Sequence, residues 1–142
     1  MFAHDLYQEK VKRTTRQYHS LSVSTKYLLE ISSGDKIYEG RMFHPDKDYQ
    51  IGDVIIMKES RDRKIVENGL FIIVEIIDLL WYPSFEVALV SLNKDQILPG
   101  IKSVEEGKQI YQQFVSLPTQ EKVGICMIQI KNITHNLIGH FL

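Results

Sequence analysis

Apolar positions along the chain follow two different periods, and each period predicts its own kind of element. Alternation of apolar and polar residues, or a short continuous apolar run, indicates a β-strand. Five segments have this character: residues 21–24, 36–42, 54–57, 70–80 and 123–130. The fourth segment is apolar over most of its length, which predicts burial on both of its faces. The dipeptide Asn68-Gly69 directly precedes it and predicts a hairpin turn.

Helical spacing of apolar residues predicts three helices, over residues 25–33, 84–90 and 103–115. Ser24 is placed to cap the start of the first helix, and Gly34 is placed to end it. Ser103 and Glu106 form a capping box ahead of the third helix, whose inner face includes Phe114. Five or six strands with two or three flanking helices, joined mainly by hairpins, predict an α+β fold around a small mixed barrel.

Composition limits the size and the class of the protein. The chain has 142 residues, of which 44% are hydrophobic and 25% are charged, as in a globular domain. We predict a polar N-terminal extension over residues 1–20 and a single domain over residues 21–142. The net charge of −1 argues against bulk electrostatic binding to nucleic acid and leaves room for a local basic groove. Cys126 is the only cysteine, which excludes a cysteine-rich zinc site, and its apolar neighbours predict a buried, inert thiol.

Several other kinds of chemistry find little support in the sequence. No apolar run reaches the length of a membrane span, and the N-terminus lacks the order of a signal peptide. We therefore expect an intracellular, cytoplasmic protein without a membrane partner. His135 and His140 are five residues apart, which is poor spacing for a zinc site. We expect no metal and no cofactor.

Charged residues follow a glycine at fixed spacing in residues 34–41, which is the most informative stretch of the chain. If this segment is extended, Glu39 and Arg41 point to one face, and Lys36 nominally points to the other. A bend at Gly34 or Gly40 would bring all three side chains to one cleft. Two cations with a carboxylate between them suit a phosphate or a polar base edge. The alternative is a solvated charged strand at a sheet edge.

The motif Gly34-x-Lys36-x-x-Glu39-x-Arg41 resembles the signature of the ASCH family, a branch of the PUA-like β-barrel superfamily. Further segments agree with the resemblance over roughly residues 21–131: Gly52-Asp53, Leu98-Pro99-Gly100, Ser103-Val104-Glu105-Glu106-Gly107 and Ile110-Tyr111. The resemblance implies a compact mixed barrel with a polar cleft beside the motif. PUA-like relatives bind RNA, and the resemblance implies that ASCH domains bind it in that cleft.

Some members of the family resemble bacterial acetylcytidine amidohydrolases, which use a lysine, a threonine three residues later and a further acid. Lys36 matches the lysine, whereas Glu39 stands where those enzymes have the threonine. Glu86 and Asp95 lie in the region of the further acid. An ion pair between Lys36 and Glu39 would keep the lysine protonated and would oppose catalysis.

Three functions follow as hypotheses. The first is an RNA- or nucleotide-binding domain whose ligand contacts Lys36, Tyr38, Glu39 and Arg41, with Trp81 and Tyr82 as additional stacking candidates. The second is an amidohydrolase acting on an acetylated nucleoside, with Lys36 and Glu39 as its catalytic residues. The third is a protein-interaction adaptor that docks a partner through its terminal segments.

Overall fold

A computed structural model describes residues 15–44 and 46–134 of the chain. The remaining residues, 1–14, 45 and 135–142, lie outside the description. The predicted polar extension therefore falls largely outside the described residues, as do His135 and His140. No helix within the two described ranges is long and apolar enough to cross a membrane.

Six strands form one mixed sheet. They are β1 (Tyr18–Ser24), β2 (Tyr38–Met42), β3 (Val54–Arg61), β4 (Lys64–Ile65), β5 (Phe71–Tyr82) and β6 (Ile125–Asn132). Their order in the sheet is β1-β3-β5-β6-β2, and the short β4 pairs with β3. Only the β1–β3 pair is parallel; the other pairs in the described sheet are antiparallel. All five predicted strands are present, and β4 is an addition.

Five helices accompany the sheet in the described residues. They are α1 (Thr25–Ser33), α2 (Phe85–Ser91), α3 (Lys94–Ile97), α4 (Val104–Gln112) and α5 (Leu117–Val123). The three predicted helices are α1, α2 and α4. The other two were missed because α3 has only four residues and α5 is mostly polar, so neither displays a helical period. Because α4 ends at Gln112, Phe114 is 65% exposed, and its predicted place on the inner face is wrong.

Two of the predicted helix ends have the expected geometry. Gly34 follows α1 in the left-handed conformation, with φ 88°, and its N–H bonds to the Ile31 carbonyl. At the start of α4, the Ser103 hydroxyl accepts a hydrogen bond from the Glu106 N–H over 3.1 Å. The Glu106 carboxylate accepts from the Lys102 N–H over 2.8 Å, so the capping box is closed one residue earlier than predicted.

The sheet curls so that one face surrounds an inner core and part of the other face is covered by helices. The inner core joins residues of β1, α1, β3, β5 and β6, with Leu28, Ile55, Met57, Val74 and Ile128 among its most deeply buried side chains. The outer core lies under α2 to α4 and is built from Tyr38, Phe85, Ala88, Leu89, Ile97, Leu98, Ile101, Ile125 and Met127. Six curled strands with two cores match the predicted α+β fold and its mixed barrel.

One prediction about β5 is wrong, and the structure refines another. Phe71 is 53% exposed and Ile77 is 40% exposed, because the helices cover the opposite half of the outer face, so β5 is not buried on both faces. The hairpin turn from β3 to β4 is made by Asp62 and Arg63, which have φ of 51° and 66°. Asn68-Gly69 forms the later turn that leads into β5.

The two ends of the sheet, β1 and β2, meet across a seam in the barrel wall. Arg41 on β2 bridges this seam: its Nη2 donates a hydrogen bond to the backbone carbonyl of Ser22 on β1 over 3.1 Å. A side chain rather than a backbone ladder therefore joins the two edge strands at this point. The seam places the most informative segment of the sequence at the junction of the two edge strands.

Candidate functional site

Strand β2 fixes the direction of each side chain in the motif. Glu39 pairs with Ile128 and Arg41 pairs with Cys126, both residues of the inner core, so Glu39 and Arg41 face the barrel interior. This arrangement confirms that the two residues share one face. Tyr38 points the other way, packs into the outer core and is only 8% exposed.

Gly40 lies between Glu39 and Arg41 and permits a close approach of helices to the outer face of β2. A Cβ atom at this position would lie 2.7 Å from Phe85 Cε1 and 2.9 Å from Tyr111 Oη. The two aromatic rings are stacked, with centroids 3.8 Å apart and planes 7° apart. The absence of a side chain at Gly40 therefore lets this pair support the strand that carries Glu39 and Arg41.

Glu39 and Arg41 form an ion pair at the seam, with 3.3 Å between Glu39 Oε1 and Arg41 Nε. The Glu39 side chain is 12% exposed and the Arg41 side chain 34% exposed. With Nη2 held by the Ser22 carbonyl, Arg41 is fixed at two points. Glu39 thus orients Arg41.

Trp81 lies on the same face as Arg41. Trp81 pairs with Cys126 across β5 and β6, and Cys126 pairs with Arg41, so the three side chains form one row. The Trp81 ring is partly buried and meets Phe43 edge to face, with centroids 5.8 Å apart. Tyr82 pairs with Ile125 and packs against the outer core, so it does not share a face with Arg41.

The field of Glu39 reaches two tyrosines on helices, Tyr27 and Tyr111, whose role the sequence reasoning missed. Burial raises the pKa of Tyr27, and the carboxylates of Glu30 and Glu39 add to this shift. Burial and then Glu39 also raise the pKa of Tyr111 well above its usual value. Both tyrosines lie on predicted helices, so the sequence placed them on a helix without indicating that they lie within the field of Glu39.

Tyr49 reaches the same face from a loop. Burial raises its pKa, while Arg41 lowers it and Glu39 raises it, so the phenol lies within the field of the ion pair. The position of Tyr49 between the turn-rich segment and β3 offered no periodicity to find it by. We define the seam site as Glu39, Arg41, Tyr49, Trp81 and the Ser22 carbonyl.

Lys36 is a buried lysine that precedes β2 and is only 3% exposed. Its Nζ donates a hydrogen bond to the Ile97 carbonyl at the end of α3 and lies 5.3 Å from the centre of the Tyr27 ring. Burial lowers the pKa of Lys36, and the fields of Glu39 and Glu30 oppose this shift. The predicted ion pair with Glu39 does not form within the described chain, because Glu39 pairs with Arg41.

The predicted cleft does not hold all three charged residues of the motif. A cavity of about 270 Å³ lies beside the first half of the motif. Its lining combines Ile31, Gly34, Lys36, Ile37, Ile77, Gln129, Ile130, Lys131 and Asn132. Glu39 and Arg41 are not part of this lining, so the three charged residues of the motif do not share one cavity.

The two candidates for a further catalytic acid lie among the outer helices. Glu86 pairs with Lys108 at 3.5 Å, and Asp95 pairs with the neighbouring Lys94 at 3.2 Å. The carboxylates whose fields act on the Lys36 amine are Glu39 and Glu30.

The structure also places the residues considered for other chemistry. Within residues 15–44 and 46–134, no group of three or more His, Cys, Asp and Glu side chains could hold a metal ion. Cys126 is buried, as predicted, and burial raises the pKa of its thiol far above the usual value.

The lowered pKa of Lys36 predicts a pH-dependent contribution to stability. The unfolded lysine holds its proton up to about pH 10.5, whereas the folded one releases it at lower pH. The unfolded state then binds more protons, so stability rises with pH across the window between the two pKa values. We expect urea unfolding of the wild type to gain stability relative to Lys36→Met as pH rises toward 10.5.

The matched control is Lys26→Met, since Lys26 is exposed and its Nζ lies 5.4 Å from the same Tyr27 ring. Lys26→Met keeps the buried Lys36 amine, so this variant should retain the rise of stability with pH. Equal pH profiles for the wild type and Lys36→Met would contradict the lowered pKa.

Comparison with known proteins identifies relatives of this fold. A family model described as a domain of unknown function, DUF3850, matches residues 18–88, half of the chain. No curated protein matches. Among solved structures, hypothetical protein PH0355 is 29% identical, with 82% of this chain and 99% of that chain covered and a TM-score of 0.69.

Two further structures extend the comparison. Protein PF0455 from Pyrococcus furiosus is 25% identical, with 82% and 97% of the two chains covered and a TM-score of 0.63. The ASCH protein from Zymomonas mobilis is 12% identical, with 79% of this chain and 65% of that chain covered and a TM-score of 0.52. At this identity the likeness concerns the fold, and it confirms the predicted ASCH, PUA-like architecture.

Proposed function

Because this chain belongs to the DUF3850 family and has an ASCH-type barrel, we propose that it is an RNA- or nucleotide-binding domain. The observation that carries the proposal is the placement of Glu39, Arg41 and Trp81 on one face of the sheet, with the ion pair on β2 at the seam and Trp81 two strands away on β5. Arg41 supplies hydrogen-bond donors in a fixed plane, Glu39 supplies acceptors, and Trp81 supplies an aromatic surface. A base that leaves its stack needs these three kinds of contact.

Ligand contacts are assigned to part of the predicted set. Arg41 and Glu39 contact the ligand in this proposal, and Trp81 replaces Tyr38 as the stacking surface. Lys36 holds the segment before β2 against α3, because its amine donates to the Ile97 carbonyl. The net charge of −1 implies a shallow salt dependence, as expected for few phosphate contacts.

The test is fluorescence anisotropy with a labelled single-stranded RNA at two salt concentrations. We expect Arg41→Gln to weaken binding by about 1–3 kcal/mol, the usual cost of losing an arginine that contacts a base. Arg63→Gln is the matched control, because it removes the same charge from the exposed β3–β4 turn. Equal affinities for Arg41→Gln and Arg63→Gln, with both variants folded, would contradict binding at the seam site.

An amidohydrolase acting on an acetylated nucleoside is the second candidate. The observation that favours it is the lowered pKa of Lys36, since a neutral amine acts as a base or a nucleophile. Its 3% exposure and its bond to Ile97 oppose contact with a substrate. Mass spectrometry of acetylcytidine incubated with the wild type and Lys36→Met separates the two functions, because conversion that requires Lys36 would assign the enzyme.

A further inference from the structure

The seam site contains hydrogen-bonding capacity that the described chain does not use. The Glu39 side chain is only 12% exposed, yet no described residue donates a hydrogen bond to its carboxylate; its contact is the ion pair with Arg41. Arg41 Nε is buried beside Glu39 Oε1 at 3.3 Å, and one N–H of Nη2 is engaged by Ser22, so the described contacts leave the Nη1 donors and the second Nη2 donor unused. Since buried polar groups normally have partners, these two side chains have bonds to offer to a ligand.

The charges around the site favour a neutral group over a phosphate. Glu39 is part of the site, and the fields of both Glu39 and Glu30 reach the Lys36 amine behind it. A phosphate placed against Arg41 would meet the Glu39 carboxylate, and two like charges that close repel each other. A neutral ligand with N–H groups directed at Glu39 and an oxygen directed at Arg41 avoids this repulsion.

We propose that the seam site holds a guanine base, an inference that rests on the RNA-binding function proposed above. The Watson–Crick edge of guanine carries two adjacent donors, the imino N1–H and the exocyclic N2 amine, followed by the O6 acceptor. A carboxylate accepts two parallel N–H bonds, so Glu39 receives both donors. Arg41 donates to O6, and Trp81, two strands away at roughly 10 Å, supplies the stacking surface.

The other bases do not offer this pattern. Adenine and cytosine place a ring nitrogen acceptor next to the exocyclic amine, and that acceptor would face the second oxygen of Glu39. Uracil places its single imino donor between two carbonyl oxygens. Because a mismatched acceptor leaves the carboxylate partly unpaired in a mostly buried site, guanine is preferred.

The experiment measures binding of five-nucleotide RNAs with uridines on either side of one central guanosine, inosine or adenosine. Inosine lacks the N2 amine and keeps N1–H and O6, so it removes one of the two bonds to Glu39. We expect guanosine RNA to bind the wild type roughly 5- to 150-fold more tightly than adenosine RNA, the range of a bidentate base contact. Inosine RNA should lie between them.

Glu39→Gln tests the carboxylate directly, and Glu67→Gln is its matched control on the exposed turn before β5. We expect the preference for guanosine to fall close to onefold in Glu39→Gln and to persist in Glu67→Gln. If Glu39→Gln fails to fold, the affinities of the wild type for the guanosine, inosine and adenosine RNAs still test the preference for guanine. RNA binding that depends on Arg41 without a guanosine preference would overturn this inference alone, whereas no binding to any RNA would overturn the proposed function as well.

Discussion

Replacing Gly40 by alanine is expected to destabilise the fold by about 1–3 kcal/mol, the usual cost of overpacking. The added methyl group would lie 2.7 Å from Phe85 Cε1 and 2.9 Å from Tyr111 Oη, so the stacked pair or strand β2 must move. Movement of β2 also displaces Glu39 and Arg41, because both flank Gly40. We therefore expect weaker RNA binding than the loss of stability alone would cause.

Urea unfolding of a double-mutant cycle checks the cause. Phe85→Leu removes the ring that the new methyl group would strike, so Gly40→Ala should cost less in the Phe85→Leu background than in the wild type. The difference is the coupling between the two positions. An equal cost of Gly40→Ala in both backgrounds would contradict the close approach.

Replacing Asp53 by alanine is expected to cost about 2–5 kcal/mol, because it leaves several buried donors without a partner. The Asp53 side chain is 2% exposed and accepts from the backbone N–H groups of Gln17 and Gln50 over 3.0 and 3.1 Å. It also lies 2.8 Å from His19 Nε2. The carboxylate thereby ties the start of β1 to the loop before β3.

The same substitution should loosen the seam site. The His19 ring packs against Tyr49, with centroids 4.7 Å apart. Loss of Asp53 removes the partner of His19, so the packing of Tyr49 in the seam site should loosen. Thermal unfolding measures the stability, with Asp46→Ala as control because its side chain is 87% exposed. We expect the control to stay within about 0.5 kcal/mol of the wild type. Similar losses in the two variants would contradict the structural role of Asp53.

Local sequence patterns predicted the features that depend only on neighbouring residues. Gly34 ends α1 because a left-handed residue is needed there, and Glu39 and Arg41 share a face because β2 is regular. The predicted ion pair between Lys36 and Glu39 was wrong, because Lys36 precedes the strand that carries Glu39. Its actual partner is the Ile97 carbonyl, which belongs to a helix too short to predict.

Long-range contacts account for the rest of what the sequence did not reveal. Tyr49 joins the seam site from a loop, and Ser22 joins it across a seam between strands that are not paired along the backbone. Tyr38 was expected to bind ligand, yet its side chain packs under the outer helices, because the outer core covers that face of β2. Period two places a side chain on a face without saying what covers that face.

The most direct test of the central claim is an amide chemical-shift map recorded during titration with single-stranded RNA. Binding at the seam site predicts that the largest changes lie at Ser22, Glu39, Arg41 and Trp81, and that they disappear in Arg41→Gln. Changes confined to the β3–β4 turn, or to the lining of the cavity near Ile77, would contradict the seam as the binding surface.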